Sequence, residues 1–246
     1  MSEFIATDCK LYVDQYDFSS NANSLQMEYN AEILDATAFG DTTRVKAAGL
    51  LDMKCTVEGF FESDGSEAPD DVLFANIGVN GTVLTMCPTD GSDGETSYSV
   101  EGVSGQYSPL SSNTIGELIR FTANFEGQGG QLVQGTVLKN GTISATGSGT
   151  AYQVGAVSAT QSVYCILHVT GLSGTDTPTI TVTISSDDNS GMTSATARKV
   201  FTAATGTTVE WATPVGGAIT DDYWQATWTV SGTDPSMDIV CTMGIK

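Results

Sequence analysis

A single histidine, His168, and five cysteines, Cys9, Cys55, Cys87, Cys165 and Cys241, are the groups from which nucleophilic, acid–base or zinc chemistry would have to be built. The cysteines are odd in number, widely spaced and without a Cys-x-x-Cys pair, so neither a disulfide framework nor a zinc site can be read from them. Cys55 and Cys165 fall on the apolar side of alternating segments, where a free thiol packs as a small hydrophobe. His168 falls in the polar register of its segment, with no second histidine and no triad spacing, and reads as a solvated strand residue rather than a base. Asp187-Asp188-Asn189-Ser190-Gly191 and Asp90-Gly91-Ser92-Asp93-Gly94 resemble calcium loops in composition but lack the glutamate at position 12, and Asx and Gly are what tight turns use. Gly127-Gln128-Gly129-Gly130 has no phosphate-binding lysine and no following helix, so it is not a P-loop. Trp211, Trp224 and Trp228 would suit a sugar-stacking platform, but Trp224 and Trp228 share the apolar face of one segment, which favours a place in the core. The residues therefore predict no catalytic site, no metal and no cofactor, and a protein that is not an enzyme.

The elements that would position these groups are strands. Period-2 alternation recurs throughout and is clearest over 24–34, where Leu25, Met27, Tyr29, Ala31 and Ile33 alternate with Gln26, Glu28, Asn30 and Glu32. This segment reads as a strand with one buried face. A second runs over 51–62, with Leu51, Met53, Cys55, Val57 and Phe61 on one side and Asp52, Lys54, Thr56 and Glu58 on the other. Further segments lie at 95–103, 117–126 (Ile119, Phe121, Ala123 and Phe125 inward), 131–138 and 161–169 (Val163, Cys165, Leu167 and Val169 inward). Others follow at 179–185, 199–203, 208–212, 223–230 (Trp224, Ala226, Trp228 and Val230 inward) and 237–245. About eleven strands leave room for one short helix over 70–77, with Pro69 and two aspartates at its start and Leu73, Phe74 and Ile77 as its apolar stripe. Asn-Gly and Asp-Gly pairs supply the turns between them. Gly, Gln, Ser and Thr dominate between 127 and 155, which suggests an N-terminal sandwich over 1–127, a junction over 128–157 and a second β unit over 158–246. The strand-like pieces of the junction are equally compatible with one continuous sandwich.

The 246 residues carry 29 acidic against 9 basic side chains, a net charge of −20. Stable binding to duplex DNA depends on Lys and Arg neutralising phosphates, so this chain is poorly equipped to hold DNA. No apolar run approaches the roughly 20 residues of a membrane-spanning helix, and the first residues have neither a basic nor an apolar stretch of a signal peptide. The expectation is a soluble protein made without export.

Between the two best strands lies a connection of about fifteen residues, longer than hairpins normally use, and long structured loops often carry function. It reads Leu34-Asp35-Ala36-Thr37-Ala38-Phe39-Gly40-Asp41-Thr42-Thr43-Arg44, then Ala48-Gly49-Leu50, before a strand ending Glu58-Gly59-Phe60-Phe61. This combination resembles the major tail tube proteins of long-tailed bacteriophages, over about 25–127. The resemblance implies an all-β, tail-tube-like sandwich with one flanking helix, and a C-terminal β unit that is either a duplicated half or an accessory sandwich. It further implies a structural virion protein, assembled in the host cytoplasm, whose long hairpins join into the inner barrel of trimeric or hexameric rings. Those rings would stack into a tube beside other tail proteins, with DNA passing through unbound. In that setting Phe39, Gly40, Asp41, Thr42, Thr43, Arg44 and Lys46 are expected to make inter-ring contacts, with Arg44 and Lys46 pairing with carboxylates of the next ring. Glu28, Glu32, Asp52 and Glu58 are expected to line the lumen. The alternatives are an adhesion or carbohydrate-binding sandwich and a capsid decoration protein.

Overall fold

A computed structural model describes residues 8–65, 67–112 and 114–246. The first elements are β1 (Lys10–Val13), β2 (Tyr16–Asp17), β3 (Ala22–Asp35), β4 (Lys46–Phe60), α1 (Pro69–Ala75), β5 (Asn80–Cys87), β6 (Thr96–Ser112) and β7 (Arg120–Ile143). They are followed by β8 (Gly147–Ser148), β9 (Tyr152–Gln153), β10 (Ser162–Asp187), β11 (Thr196–Val200), β12 (Thr208–Trp211), β13 (Val215–Gly216) and β14 (Tyr223–Ile245). The fold is all-β, and α1 is the one helix among the described residues. The chain forms two compact units that do not follow its order in two blocks. Among the described residues, one gathers 8–19, 83–99 and 133–246, and the other lies within 20–82 and 100–132. β5, β6 and β7 each contribute residues to both.

The larger unit is built on a two-stranded ribbon. β10 and β14 are 26 and 23 residues long and pair antiparallel from Val163↔Ile245 to Asp187↔Tyr223. Alternation along the sequence gives four shorter segments here, 161–169, 179–185, 223–230 and 237–245, and the run Ser-Gly-Thr-Asp lies in each gap, at 173–176 and 231–234. Instead the ladder continues through bulges, with register shifts near 169–179 and positive φ at Gly174, Asp176, Thr177, Gly232 and Asp234. Thr179 and Ser231 hydroxyls bond each other at 2.7 Å across the bulges, and Thr233 donates to Asp176 at 2.6 Å. Val163, Leu167 and Val169 before the bulges share one core with Ile180, Val182 and Ile184 after them, so the ribbon supplies both halves of its own hydrophobic interior. Trp224, 0% exposed, fills that core and donates its indole N–H to the Gly155 carbonyl at 2.9 Å. The four cysteines other than Cys9 are buried and in no disulfide, and burial pushes the Cys55, Cys87 and Cys165 thiols up to about 12.

His168 departs from the sequence expectation. Rather than solvated it is 0% exposed, with Nδ1 on the Asp14 carbonyl oxygen and Nε2 2.8 Å from Thr85 Oγ1. The reason is that β10 is buried on both faces here, Ile166 and His168 on one and Leu167 and Val169 on the other. Burial holds the imidazole down to about 4, partly offset by the bond to Asp14.

In the smaller unit β4 pairs with β3 and, over Lys54–Phe60, with β7. Cys55, Val57, Phe121, Ala123 and Phe125 are buried on one face. Tyr107 lies 6.0 Å from the Phe121 ring and donates its hydroxyl to Asp70 of α1 at 2.9 Å. That helix begins one residue earlier than expected, with Pro69 at its first position, and ends at Ala75. Leu73 is buried, but Phe74 is 70% and Ile77 44% exposed. The stripe it buries is Pro69, Val72 and Leu73, at i, i+3 and i+4, and Phe74 lies about 100° beyond Leu73, off that stripe.

Candidate functional site

The chemistry of this chain concentrates at the ribbon formed by β3 and β4. Its register pairs Ser24↔Glu58, Gln26↔Thr56, Glu28↔Lys54 and Asn30↔Asp52, and directly opposed residues of an antiparallel pair share a face. Glu28, Asp52 and Glu58 therefore lie on one face, and strand alternation adds Glu32. All four are exposed. The polar face continues onto β7 through Thr56 Oγ1 donating to Asn124 at 2.8 Å and the Lys54–Glu126 ion pair at 3.8 Å. From there Asn124 donates to Gln106 of β6 at 3.0 Å. Gln26 donates to Glu28 at 2.9 Å along the same row.

The opposite face holds Leu25, Met27, Tyr29 and Ala31 against Val57, Cys55, Met53 and Leu51. Alternation predicts it to be buried, and near the base β4 buries Met53, Cys55 and Val57. Along β3, however, Leu25, Tyr29 and Ile33 remain 38%, 39% and 63% exposed, and Leu51 on β4 is 49% exposed. The physical reason is that β7 stops pairing with β4 at Lys54, so residues 46–53 have no strand but β3 beside them. β3 in turn pairs only with β4. Beyond that point neither edge of the ribbon has another strand beside it among the described residues, and Ile33 and Leu51 of its apolar face stay exposed. A two-stranded ribbon on its own is marginal in water, and long unpaired edges invite a further strand.

The connection at the tip is shorter than fifteen residues, because pairing persists to Asp35↔Lys46 and leaves only 36–45 as loop. Its conformation is held internally. Asp35 accepts from Lys46 Nζ at 2.8 Å and from the Thr37 hydroxyl and amide, and these bonds hold its carboxyl below the usual range, the lysine contributing most. The Thr37 hydroxyl accepts from the Val45 amide at 3.0 Å. Ala38 donates its N–H to Asp41 at 2.8 Å, closing a turn in which Gly40 takes φ +104°. Phe39 is presented outwards with 111% relative exposure, and Thr42 and Thr43 beside it are exposed. Of the two loop cations, Lys46 is engaged by its own neighbour Asp35, whereas Arg44 has no ion pair among the described residues. No group of three or more His, Cys, Asp or Glu placed to hold a metal occurs among the described residues. Sequence reading missed the exposure of the ribbon, for which the one available signal was the length of alternating sequence on both sides of the loop.

No protein-family model matches the chain, and no curated protein matches it in sequence. Among solved structures it is similar to the SPP1 Dit protein, described as a hub of the adsorption apparatus in phages infecting Gram-positive bacteria. That likeness has 13% identity and a TM-score of 0.39, over 97% of this chain and 99% of that one. It is also similar to the tube-terminating cap of the anti-feeding prophage, at 11% identity and a TM-score of 0.44, over 55% of this chain and 93% of that one. A third likeness is to the sheath–tube complex of an extracellular contractile injection system in its extended state, at 10% identity and a TM-score of 0.41, over 55% of this chain and 93% of that one. At these identities and TM-scores, the three likenesses carry no weight for function.

Proposed function

We propose that the chain is a structural subunit of a phage-type tail tube that assembles with copies of itself. One observation carries this reading: a ribbon whose outer β3 edge, and whose outer β4 edge over 46–53, have no strand partner among the described residues, and whose apolar side chains Leu25, Ile33 and Leu51 stay exposed. Pairing the β3 edge of one copy with the β4 edge of the next satisfies both, and only closure into a ring leaves no edge open. Ring closure puts one face of every ribbon inward. The apolar face, facing outward onto neighbouring bodies, is covered, and the face bearing Glu28, Glu32, Asp52 and Glu58 lines the lumen. Stacked rings then form a conduit with like-charged walls, from which DNA is repelled rather than bound. The same reading makes the protein a virion component with other tail proteins as neighbours. The carbohydrate-binding alternative is weakened by Trp224, whose indole is in the core and not on a platform.

Negative-stain microscopy of the concentrated protein, alone and with tail initiator complexes, tests this proposal. Hollow cylinders of uniform width support it. A species that stays monomeric in sedimentation under both conditions refutes it.

A further inference from the structure

A cleft of about 470 Å³ lies on the larger unit, within the roughly 300–1,000 Å³ that small-molecule sites span. It is lined by the segment around Ser144, Ser148 and Thr150, by Asp93 and Lys139, and by Trp228 of β14. Trp228 is half-buried: part of its surface packs on the core, and part lines the cleft. Its indole is held in one orientation. The ring N–H donates to the Ala145 carbonyl at 2.9 Å, and Gly147, its register partner on β8, and Gly149 let the ring lie close to the backbone, since a Cβ at either would meet it at 3.4 and 3.7 Å. The segment itself is tied to β14 by Gly149 N–H to Ala226 at 2.8 Å, Gln225 to the Gly149 carbonyl at 2.7 Å and Val230 N–H to Thr146 at 2.9 Å. The cleft therefore has an aromatic surface and a hydroxyl-bearing rim that are both fixed before anything binds, which lowers the entropic cost of binding.

The polar groups of the cleft suit a neutral ligand rich in hydroxyls. The side chains of Ser144, Ser148 and Thr150 are exposed and have no hydrogen-bond partner among the described residues, and each hydroxyl can both donate and accept. Lys139 uses one donor on Asp93 at 3.0 Å and keeps two. Asp93 in turn accepts from that lysine and from the Asn140 amide at 2.6 Å, so the two charges of the cleft cancel. An anionic ligand would meet a lysine already neutralised, on a chain of net charge −20 that repels it. A wholly apolar ligand would strip water from three hydroxyls and an ammonium without replacing it. A pyranose meets both requirements, because its ring presents a face of C–H groups to an aromatic surface and a rim of hydroxyls to polar neighbours.

We propose that this cleft binds a neutral pyranose residue, packed on the Trp228 indole and hydrogen-bonded to Ser144, Ser148, Thr150 and Lys139. The site belongs to the larger unit alone, so it goes beyond the tube reading and does not depend on it. Trp224 has no part in it and stays in the core. A free sugar and a sugar unit within a polysaccharide share this chemistry, and the choice of probes separates them.

The full chain labelled with fluorotryptophan carries three reporters, Trp211, Trp224 and Trp228, whose fluorine NMR signals are assigned from single Trp→Phe variants. The probes are the methyl pyranosides of glucose, galactose and mannose, the neutral polymers dextran and mannan, and glucuronate as the charged counterpart. The Trp228 signal alone should shift and saturate with at least one neutral probe. Saturation by a methyl pyranoside identifies a single sugar as sufficient, and saturation by a polymer only identifies a chain. Glucuronate should bind roughly 10-fold more weakly or worse, the factor expected when a charge is placed against an acidic chain. Thr150→Phe fills the cleft from an exposed position and should abolish the shift, while unmoved Trp211 and Trp224 signals report an intact core. Ser144→Ala combined with Ser148→Ala should weaken binding about 10-fold, the loss of two hydrogen bonds between neutral groups. No shift at Trp228 with any neutral probe, a shift shared by all three signals, tighter binding of glucuronate, or binding that survives Thr150→Phe overturns the assignment. None of these results bears on tube formation, which microscopy reads separately.

Discussion

His168 couples the stability of the larger unit to pH in a window that its carboxylates do not share. The imidazole is enclosed completely, with Asp14 and Thr85 as its polar neighbours, and its folded pKa of about 4 lies below the ordinary 6.5. Below pH 6.5 the unfolded chain takes up a proton that the folded chain refuses, so stability falls as pH falls and levels off once the folded form also protonates. From these two values the loss between pH 8 and pH 5 is about 2 kcal/mol, approaching about 3 kcal/mol at pH 4. Asp90, Asp187 and Asp221 have carboxyl groups held below 3.8 by hydrogen bonds, Asp221 through Ser186 and Arg198. Their stabilising effect is present above the unfolded value and is lost only as pH drops through lower folded values, below the histidine window. Urea unfolding at half-unit steps from pH 8 to pH 4, followed by tryptophan fluorescence, to which Trp211, Trp224 and Trp228 of the larger unit contribute, would measure the profile. His168→Gln keeps polar groups for both neighbours but cannot titrate. It should be less stable at pH 8, yet lose about 2 kcal/mol less than the parent on acidification to pH 5. Parallel profiles for parent and variant would show that His168 is not the linked group.

Three further outcomes follow from other parts of the molecule. A methyl group at Gly135 would lie 2.3 Å from the Met243 carbonyl oxygen across the β7–β14 ladder, so Gly135→Ala should lower the unfolding free energy by about 2 kcal/mol or more, measured by urea denaturation. Arg198 donates to Asp221 and to Ser186 Oγ, both at 2.7 Å, in a half-buried cluster, and Arg198→Ala should cost about 1–3 kcal/mol in the same assay. Under the tube reading, Glu28→Lys, Glu32→Lys and Asp52→Lys together should leave tubes that assemble but release DNA slowly, with the defect eased by added salt. Normal release kinetics in an ejection assay would remove these residues from the lumen.

Much of the fold is legible in sequence alternation because most strands have one buried face. Met53, Cys55 and Val57, Phe121, Ala123 and Phe125, and Val163, Cys165, Leu167 and Val169 are buried as their spacing predicts. The misreadings have separate causes. Alternation shows that the two faces of β3 differ, but not that the apolar one is covered by its own chain. The polar register of His168 points to solvent, whereas Ile166 in the same register points to a strand covered on both sides. Gly and Asp in the two Ser-Gly-Thr-Asp runs, and the prolines Pro178 and Pro235 that follow them, serve bulges as well as turns, so local chemistry does not distinguish an end of a strand from a bend in one. Nor can period or composition show that 8–19 and 83–99 pack with 133–246, since that depends on pairing between distant strands.

The ribbon poses an energetic problem that its two faces answer differently. On the apolar face Leu25, Ile33 and Leu51 are between 38% and 63% exposed, and at the tip Phe39 is more so. Covering an aliphatic side chain fully is worth about 1.5–3 kcal/mol, so burying this set stabilises assembly by several kcal/mol per copy, before the entropy of association is subtracted. A net charge of −20 on every copy opposes that gain. The opposition is screened beyond a Debye length of about 8 Å at physiological salt, whereas apolar contacts and strand pairing act at contact distance. Charge therefore penalises loose encounters between copies and leaves the close, edge-matched one favourable, which sets a barrier to untemplated growth. A partner that presents a ready edge removes the need for two free ribbons to meet. On the tube reading, this is why subunits with such exposed ribbons can stay separate until an initiating ring is present and then add to it in one direction.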